Sequence, residues 1–115
     1  MNSYLESRVK FALDSGIASE KIWLDPGIGF GKDVDGNFEL IRRCGELLDG
    51  RYPVLMALSR KTCIGSVTGR EVPDRLYGTL AADLISVQRG ASMIRVHDVA
   101  PAVDTLKILG EVCKK

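Results

Sequence analysis

Three short apolar runs, each broken off by a charged or polar residue, constrain this chain more than any other feature. Lys21–Asp25 reads KIWLD, Pro53–Ser59 reads PVLMALS and Ser92–His97 reads SMIRVH. Runs of Ile, Val, Leu and Met bounded by Gly or Pro are the pattern of strands buried on both faces. Amphipathic segments of helical length separate them, which predicts crossover connections and a parallel sheet.

The helices carry their own punctuation. Ser3 and Glu6 stand at capping-box spacing, Leu5, Val9 and Leu13 follow on one stripe, and Gly16 offers a left-handed close. A second helix is predicted over Asn37–Leu48, with Asn37 as cap, Phe38, Ile41, Cys44 and Leu48 inward and Gly50 as stop. A third starts near Asp74, repeats Leu76, Leu80, Leu84 and Val87 on one face, and finishes at Gly90. The last has Pro101 in its first turn, where a missing amide donor costs nothing, then Val103, Leu106, Leu109 and Val112. The predicted order is αβαβαβα.

That order suits a doubly wound sheet or part of a β/α barrel, and in both the ligand sits at the carboxyl ends of the parallel strands. Asp25, Ser59 with Arg60 and Lys61, and Arg95 with His97 all fall at those ends. Ordinary strand termination accounts for any one of them; the three together point to a site.

Composition narrows the classes of partner. The chain is 45% hydrophobic and 27% charged, ordinary for a globular protein of a size that can hold a modest core. Its 16 basic and 15 acidic residues leave a charge of +1, which gives no reason to expect nucleic acid or a membrane surface as partner. No run approaches the ~20 apolar residues of a membrane span and no signal peptide is visible, so a cytoplasmic location is expected. Cys44, Cys63 and Cys113 are widely spaced, with a single histidine to join them, and form no zinc or redox motif. Cys44 and Cys113 are expected to be buried helix residues.

The densest glycine region follows the first strand. GIGFGK has the wrong spacing for GxGxxG and lacks the full spacing of a Walker loop, so on sequence alone it is a flexible strand-to-helix turn. Asp25 in front of it can accept two parallel hydrogen bonds from an aminopyrimidine edge, a charge-assisted pair that fixes orientation and identity of the ring. The same carboxylate also suits the cap of the PGIG turn. Arg95 and His97, two residues apart, point to one side of a strand and form a fork of donors for an anion. Asp98 stands where it could orient the imidazole.

DPGIGFGK, SRK and RVHD, in this order and spacing and with DRLYGTLAA between them, resemble dihydropteroate synthase, of the pterin-binding enzyme family. The likeness covers essentially the whole chain and concerns the carboxyl-terminal part of that family. It implies an α/β fold: part of a TIM (β/α)8 barrel, made of the last three βα units with parallel strands and preceded by one helix. Such a barrel takes roughly 250 residues, so residues 1–115 are expected to be the carboxyl-terminal portion of that domain and a fragment of the enzyme. Two sheet edges and one face would then need other cover.

The resemblance also assigns roles. Asp25 binds the pterin amino edge, while Lys61 donates to the pterin carbonyl and flanks an aromatic ring with its stem. Phe30 covers the aminobenzoate ring, Gly29 allows its close approach, and the Thr62 hydroxyl reaches the aminobenzoate carboxylate where relatives commonly have Ser. Arg60 contributes to the substrate site or supports the loop by ion pairing. Arg95 and His97 hold the pyrophosphate leaving group, so Arg95, His97 and Lys61 are the expected catalytic groups. The implied reaction joins 6-hydroxymethyl-7,8-dihydropterin pyrophosphate to 4-aminobenzoate, giving dihydropteroate and pyrophosphate. Mg²⁺ is implied as cofactor, with its main protein ligand expected in the amino-terminal half of the family's barrel rather than among these residues.

Residues 1–115 alone are therefore expected to be inactive or nearly so. A homodimer or higher oligomer is implied, because the family pairs through helices of this half. Ala57 and Cys63 are the visible departures, standing where a Gly and an aromatic are frequent. Two other readings remain at this stage. One is a non-catalytic half-barrel that binds an anion or a partner chain. The other is a methyltetrahydrofolate-binding methyltransferase domain, whose chemistry has no diphosphate leaving group for the basic residues of SRK and RVHD to hold.

Overall fold

The computed structural model describes residues 1–114. Five α-helices and two parallel strands follow the order α1 (Asn2–Asp14), α2 (Val34–Arg42), β1 (Leu55–Ala57), α3 (Thr62–Thr68), α4 (Leu76–Gln88), β2 (Met93–Arg95) and α5 (Val99–Val112). Short 3₁₀ turns at Ser19–Lys21, Cys44–Gly50 and Val72–Asp74 link them. The parallel α/β arrangement expected from the sequence is present. β1 and β2 pair with Leu55 opposite Met93, Met56 opposite Ile94 and Ala57 opposite Arg95.

The first predicted strand is reduced to one bridge. Leu24 pairs in parallel with Val54, its amide donating to the Pro53 carbonyl and its carbonyl accepting from Leu55 at 2.8 Å each. Lys21 is drawn into the preceding 3₁₀ turn, and Asp25 already accepts from the Gly27 amide at 2.9 Å. Little besides Leu24 remains to pair.

The second helix also differs from expectation. It starts at Val34, and its cap is Asp33, whose carboxylate accepts from the Gly36 amide at 2.7 Å. It ends at Arg42, and left-handed backbone at Leu48 and Asp49 breaks the 3₁₀ segment that follows. Of the inward set, Ile41, Cys44 and Leu48 are buried nonetheless and Phe38 is half-buried. No side chain caps α1, so Ser3 and Glu6 do not form the expected box, whereas Gly16 takes the left-handed conformation foreseen for it, φ +94°. α3 has no counterpart in the predicted order; it begins directly after Lys61 and closes on left-handed Gly69.

Alternation along the strands sorts the sheet into two faces. Ile22, Leu24, Val54, Met56 and Leu58 are buried in the core with Ile28, Ile41 and Ile64. The other face is open: Trp23 is 44% and Met93 46% exposed, and Asp25, Arg95 and His97 stand above them on the same side.

α4 turns a different stripe inward from the one its leucines suggest. Its buried residues are Thr79, Ala82, Asp83 and Ser86, while Leu76, Leu80, Leu84 and Val87 are half-buried, and α5 packs alongside. Small side chains let this helix approach closely: Gly90, at its end, lies so near Gly45 that a Cβ there would sit 2.8 Å from the Gly45 Cα. Cys44 is buried as expected, but Cys113 is exposed, because it caps the end of α5.

Asp83 is the energetic anomaly of this core. It is 1% exposed, and neither carboxylate oxygen has a hydrogen-bond partner among the described residues. Burial alone raises its pKa from 3.8 to about 7. The folded chain therefore holds a proton that the unfolded chain has released between about pH 4 and pH 7. This group takes nothing from stability below about pH 4, takes progressively more as pH rises to about 7, and its penalty is complete above that. A full penalty is on the order of 4 kcal/mol. Asp83→Asn is expected to have little effect in urea unfolding at pH 4 and to stabilise increasingly toward pH 8. Parallel pH profiles for the two proteins would contradict this account.

Candidate functional site

The carboxyl end of β1 is a sharp turn built on an unusual backbone. Arg60 has φ +58°, a left-handed conformation that costs a non-glycine residue roughly 1–2 kcal/mol. Its surroundings hold it there. Its amide donates to the Thr79 hydroxyl at 3.0 Å, its carbonyl accepts from Arg75 Nη1 at 2.9 Å, and Nη2 reaches both Asp98 oxygens at 2.8 and 3.0 Å. Arg75 is placed by the Arg70 carbonyl and by the bare surface of Gly65, where a Cβ would lie 2.4 Å from the guanidinium.

This turn ties β1 to the end of β2. The Ser59 hydroxyl oxygen accepts from the His97 amide at 3.3 Å and lies 2.7 Å from His97 Nδ1. Asp98 is engaged by Arg60, so Ser59 rather than Asp98 orients the imidazole. Arg95 is exposed and has no ion-pair partner among the described residues.

The glycine loop is fastened at four points. Ile28 is buried in the core. Asn37 Oδ1 accepts from the Gly29 amide at 2.9 Å, Lys32 Nζ donates to the Gly27 and Phe30 carbonyls at 2.9 and 3.1 Å, and Lys61 Nζ donates to the Ile28 carbonyl at 2.6 Å. Gly29 needs to be glycine twice over, for φ +90° and because a Cβ would press the Lys61 Cδ at 3.2 Å. The same lysine sits over the Phe30 ring, 4.8 Å from its centre, and Phe30 is 74% exposed.

The structure thus brings Gly29, Phe30 and Lys61 into one cluster, ties Arg60 to Asp98 and His97 to Ser59 at the neighbouring strand ends, and sets Arg95 opposite Ala57 in the sheet. Asp25 heads the loop, with one oxygen capping Gly27, and exposed Thr62 opens α3 directly after Lys61. Arg60 spends its guanidinium on Asp98. Asn37, Lys32, Ser59, Arg75 and Thr79 support the site; the sequence placed Ser59 at a strand end and read Asn37 as a helix cap, but gave none of the five a supporting role.

These groups stand on an open face. A concavity of about 370 Å³ runs past Asp25, Gly27, Phe30 and Lys32 toward Tyr4 and Leu5, whereas a larger one, about 690 Å³, lies between α1 and the 3₁₀ turn at Cys44–Gly50, away from the site. Burial pushes the Cys44 and Cys63 thiols up, which makes them poor nucleophiles. Among the described residues no three His, Cys, Asp or Glu side chains gather where they could hold a metal ion. Nor is any helix among them long and apolar enough to cross a membrane.

The profile of the family described as pterin binding enzyme matches residues 1–97. Dihydropteroate synthase of Haemophilus influenzae is 43% identical over 106 residues, which are 92% of this chain and 38% of that protein. The Escherichia coli protein of the same name is 38% identical over 109 residues, 95% of this chain and 39% of that one. Among solved structures, Xanthomonas albilineans dihydropteroate synthase with 4-aminobenzoic acid superimposes with a TM-score of 0.95 and 41% identity, covering 99% of this chain and 42% of that one. The same enzyme in complex with 7,8-dihydropteroate also gives 0.95. The chain therefore spans about two-fifths of the curated relatives it matches.

The packing of Lys61 across Gly29 has a measurable cost. Gly29→Ala is expected to lower stability in urea unfolding more than Gly31→Ala, since both require a strained left-handed alanine but only Gly29 meets a neighbour. The difference should vanish in a Lys61→Ala background, which removes the Cδ that the new methyl would meet. Equal costs for the two alanines would show that the lysine does not pack there.

Proposed function

The chain belongs to the pterin-binding enzyme family, and on that premise we propose that it is the carboxyl-terminal portion of a dihydropteroate synthase, the last three βα units of a β/α barrel with one preceding helix. The observation that carries this reading is the tie between strand ends. Ser59 with His97 and Arg60 with Asp98 bring the SRK and RVHD segments together, while Lys61 joins SRK to the glycine loop headed by Asp25.

The reaction is displacement at carbon. The amine nitrogen of 4-aminobenzoate attacks the pterin methylene, the carbon–oxygen bond to diphosphate breaks, the electron pair leaves on the diphosphate oxygen, and the amine sheds a proton to solvent. Positive charge grows on the methylene and negative charge on the leaving group. Arg95 and His97, projecting from one face of β2 and its extension, are preorganised donors for that negative charge and lower the barrier electrostatically.

Asp25 has an oxygen left for the aminopyrimidine edge, because only Oδ1 is used on Gly27. Lys61 exchanges its bond to the Ile28 carbonyl for the pterin carbonyl while its stem lines the ring. Phe30, held by Lys32 and Asn37 through its loop, covers the aminobenzoate ring, and the Thr62 hydroxyl meets that substrate's carboxylate.

The open sheet face bears on activity and assembly. With Trp23 and Met93 uncovered and the substrate groups on a surface rather than in a cleft, residues 1–115 alone do not exclude water from the reaction, so turnover by them alone is expected to be negligible. Pairing into a homodimer through the helices is part of the same proposal.

Calorimetric titration of the chain with a stable pterin acid tests it. Micromolar binding is expected, abolished by Asp25→Ala and retained in Arg95→Ala, which instead loses affinity for inorganic pyrophosphate. A folded chain that binds neither compound, or binds them equally well after both substitutions, would contradict the assignment and favour a non-catalytic half-barrel.

A further inference from the structure

We infer that Ser59 is a positioning residue that sets the tautomer of the neutral His97 imidazole, with its proton on Nε2, so that this nitrogen faces the site as a hydrogen-bond donor. The inference deepens the proposed function, and rests on it for the identity of the anion that Nε2 would meet.

The proton count around one oxygen decides the tautomer. The His97 backbone amide can only donate, and it donates to Ser59 Oγ at 3.3 Å. Oγ also lies 2.7 Å from Nδ1, and one proton stands between those two atoms. If that proton belonged to Nδ1, two donors would converge on Oγ and the hydroxyl proton would need a third partner. Ser59 makes no other hydrogen bond among the described residues and is 7% exposed, so that proton would be left almost entirely without water, at a cost of about 1–3 kcal/mol. If the hydroxyl donates to Nδ1, every group is satisfied. Nδ1 is then an acceptor, and the ring proton of the neutral form resides on Nε2.

The scaffold enforces this arrangement. Ser59 follows the fully buried Leu58, and Arg60 turns the chain away immediately after it under the grip of Thr79, Arg75 and Asp98. Oγ is thereby fixed relative to the extension of β2. The imidazole carries Nε2 away from Ser59, toward the exposed side of the sheet that Arg95 shares. With Nε2 protonated in advance, the imidazole offers a donor to an oxyanion without first taking up a proton, which suits it to a diphosphate oxygen as negative charge develops.

His97 is the sole histidine of the chain, so its two ring nitrogens can be read without assignment. Long-range ¹H–¹⁵N spectra of the ligand-free chain, recorded well above the ordinary histidine titration range, should show Nδ1 as an unprotonated acceptor and Nε2 as protonated. Ser59→Ala should move both resonances toward the mixed-tautomer average, and Ser59→Thr should restore them. A protonated Nδ1 in the unaltered chain overturns the inference by itself, whatever the variants do. Unchanged nitrogen shifts in a folded Ser59→Ala chain also overturn it, since a merely structural serine would leave the tautomer alone. Adding inorganic pyrophosphate separates the two proposals: an Nε2 that is protonated but indifferent to pyrophosphate contradicts the diphosphate role and leaves the Ser59 assignment standing.

Discussion

The left-handed backbone of Arg60 is the constraint on which the rest of the site depends. One residue after the buried end of β1 the chain must leave the sheet, and an arginine does this in a conformation that L-residues avoid. Five hydrogen bonds, from its amide, to its carbonyl and from its guanidinium, offset the strain and in doing so recruit α4, the segment before it and the start of α5. Ser59 before the turn and Lys61 after it then point to different neighbours, one to His97 and the other to the glycine loop. A more extended turn would send all three consecutive residues elsewhere.

The sheet that carries this turn is two-sided in a literal sense. Its helix-facing side buries Met56 and Leu58 completely, whereas its other side carries Trp23 and Met93 beneath Asp25, Arg95 and His97. An apolar layer under a polar one is what the proposed partial β/α barrel requires of its inner surface. The buried Asp83 belongs to the opposite side, where a small-residue stripe of α4 approaches closely enough that its carboxylate is shut off from solvent and has no hydrogen-bond partner among the described residues.

Much of this was legible in the sequence and some was not, for identifiable reasons. The apolar runs located both strands and their parallel sense, and the polar residues that stop them located the strand ends. Periodicity failed where packing is decided by size rather than apolarity: α4 buries Thr79, Ala82 and Ser86 and leaves its leucines half out. Capping rules failed at Asn37 because the loop before it needed a buried acceptor for Gly29 more than the helix needed a cap, and Asp33 was available. The first strand shrank to Leu24 because turns at both ends claim its neighbours. The supporting role of Ser59 was invisible, since a contact across 38 residues leaves no mark in local spacing.

The central claim is that three strand ends, far apart in sequence, form one ligand surface. Amide ¹H–¹⁵N mapping of the chain during titration with a pterin acid and inorganic pyrophosphate together tests it most directly. The account predicts that the resonances of residues 25–31, 59–62 and 95–98 shift as one set with a common midpoint, while those of α1 and the end of α5 stay in place. Shifts confined to a single segment, or centred on the larger concavity beside α1, would contradict it.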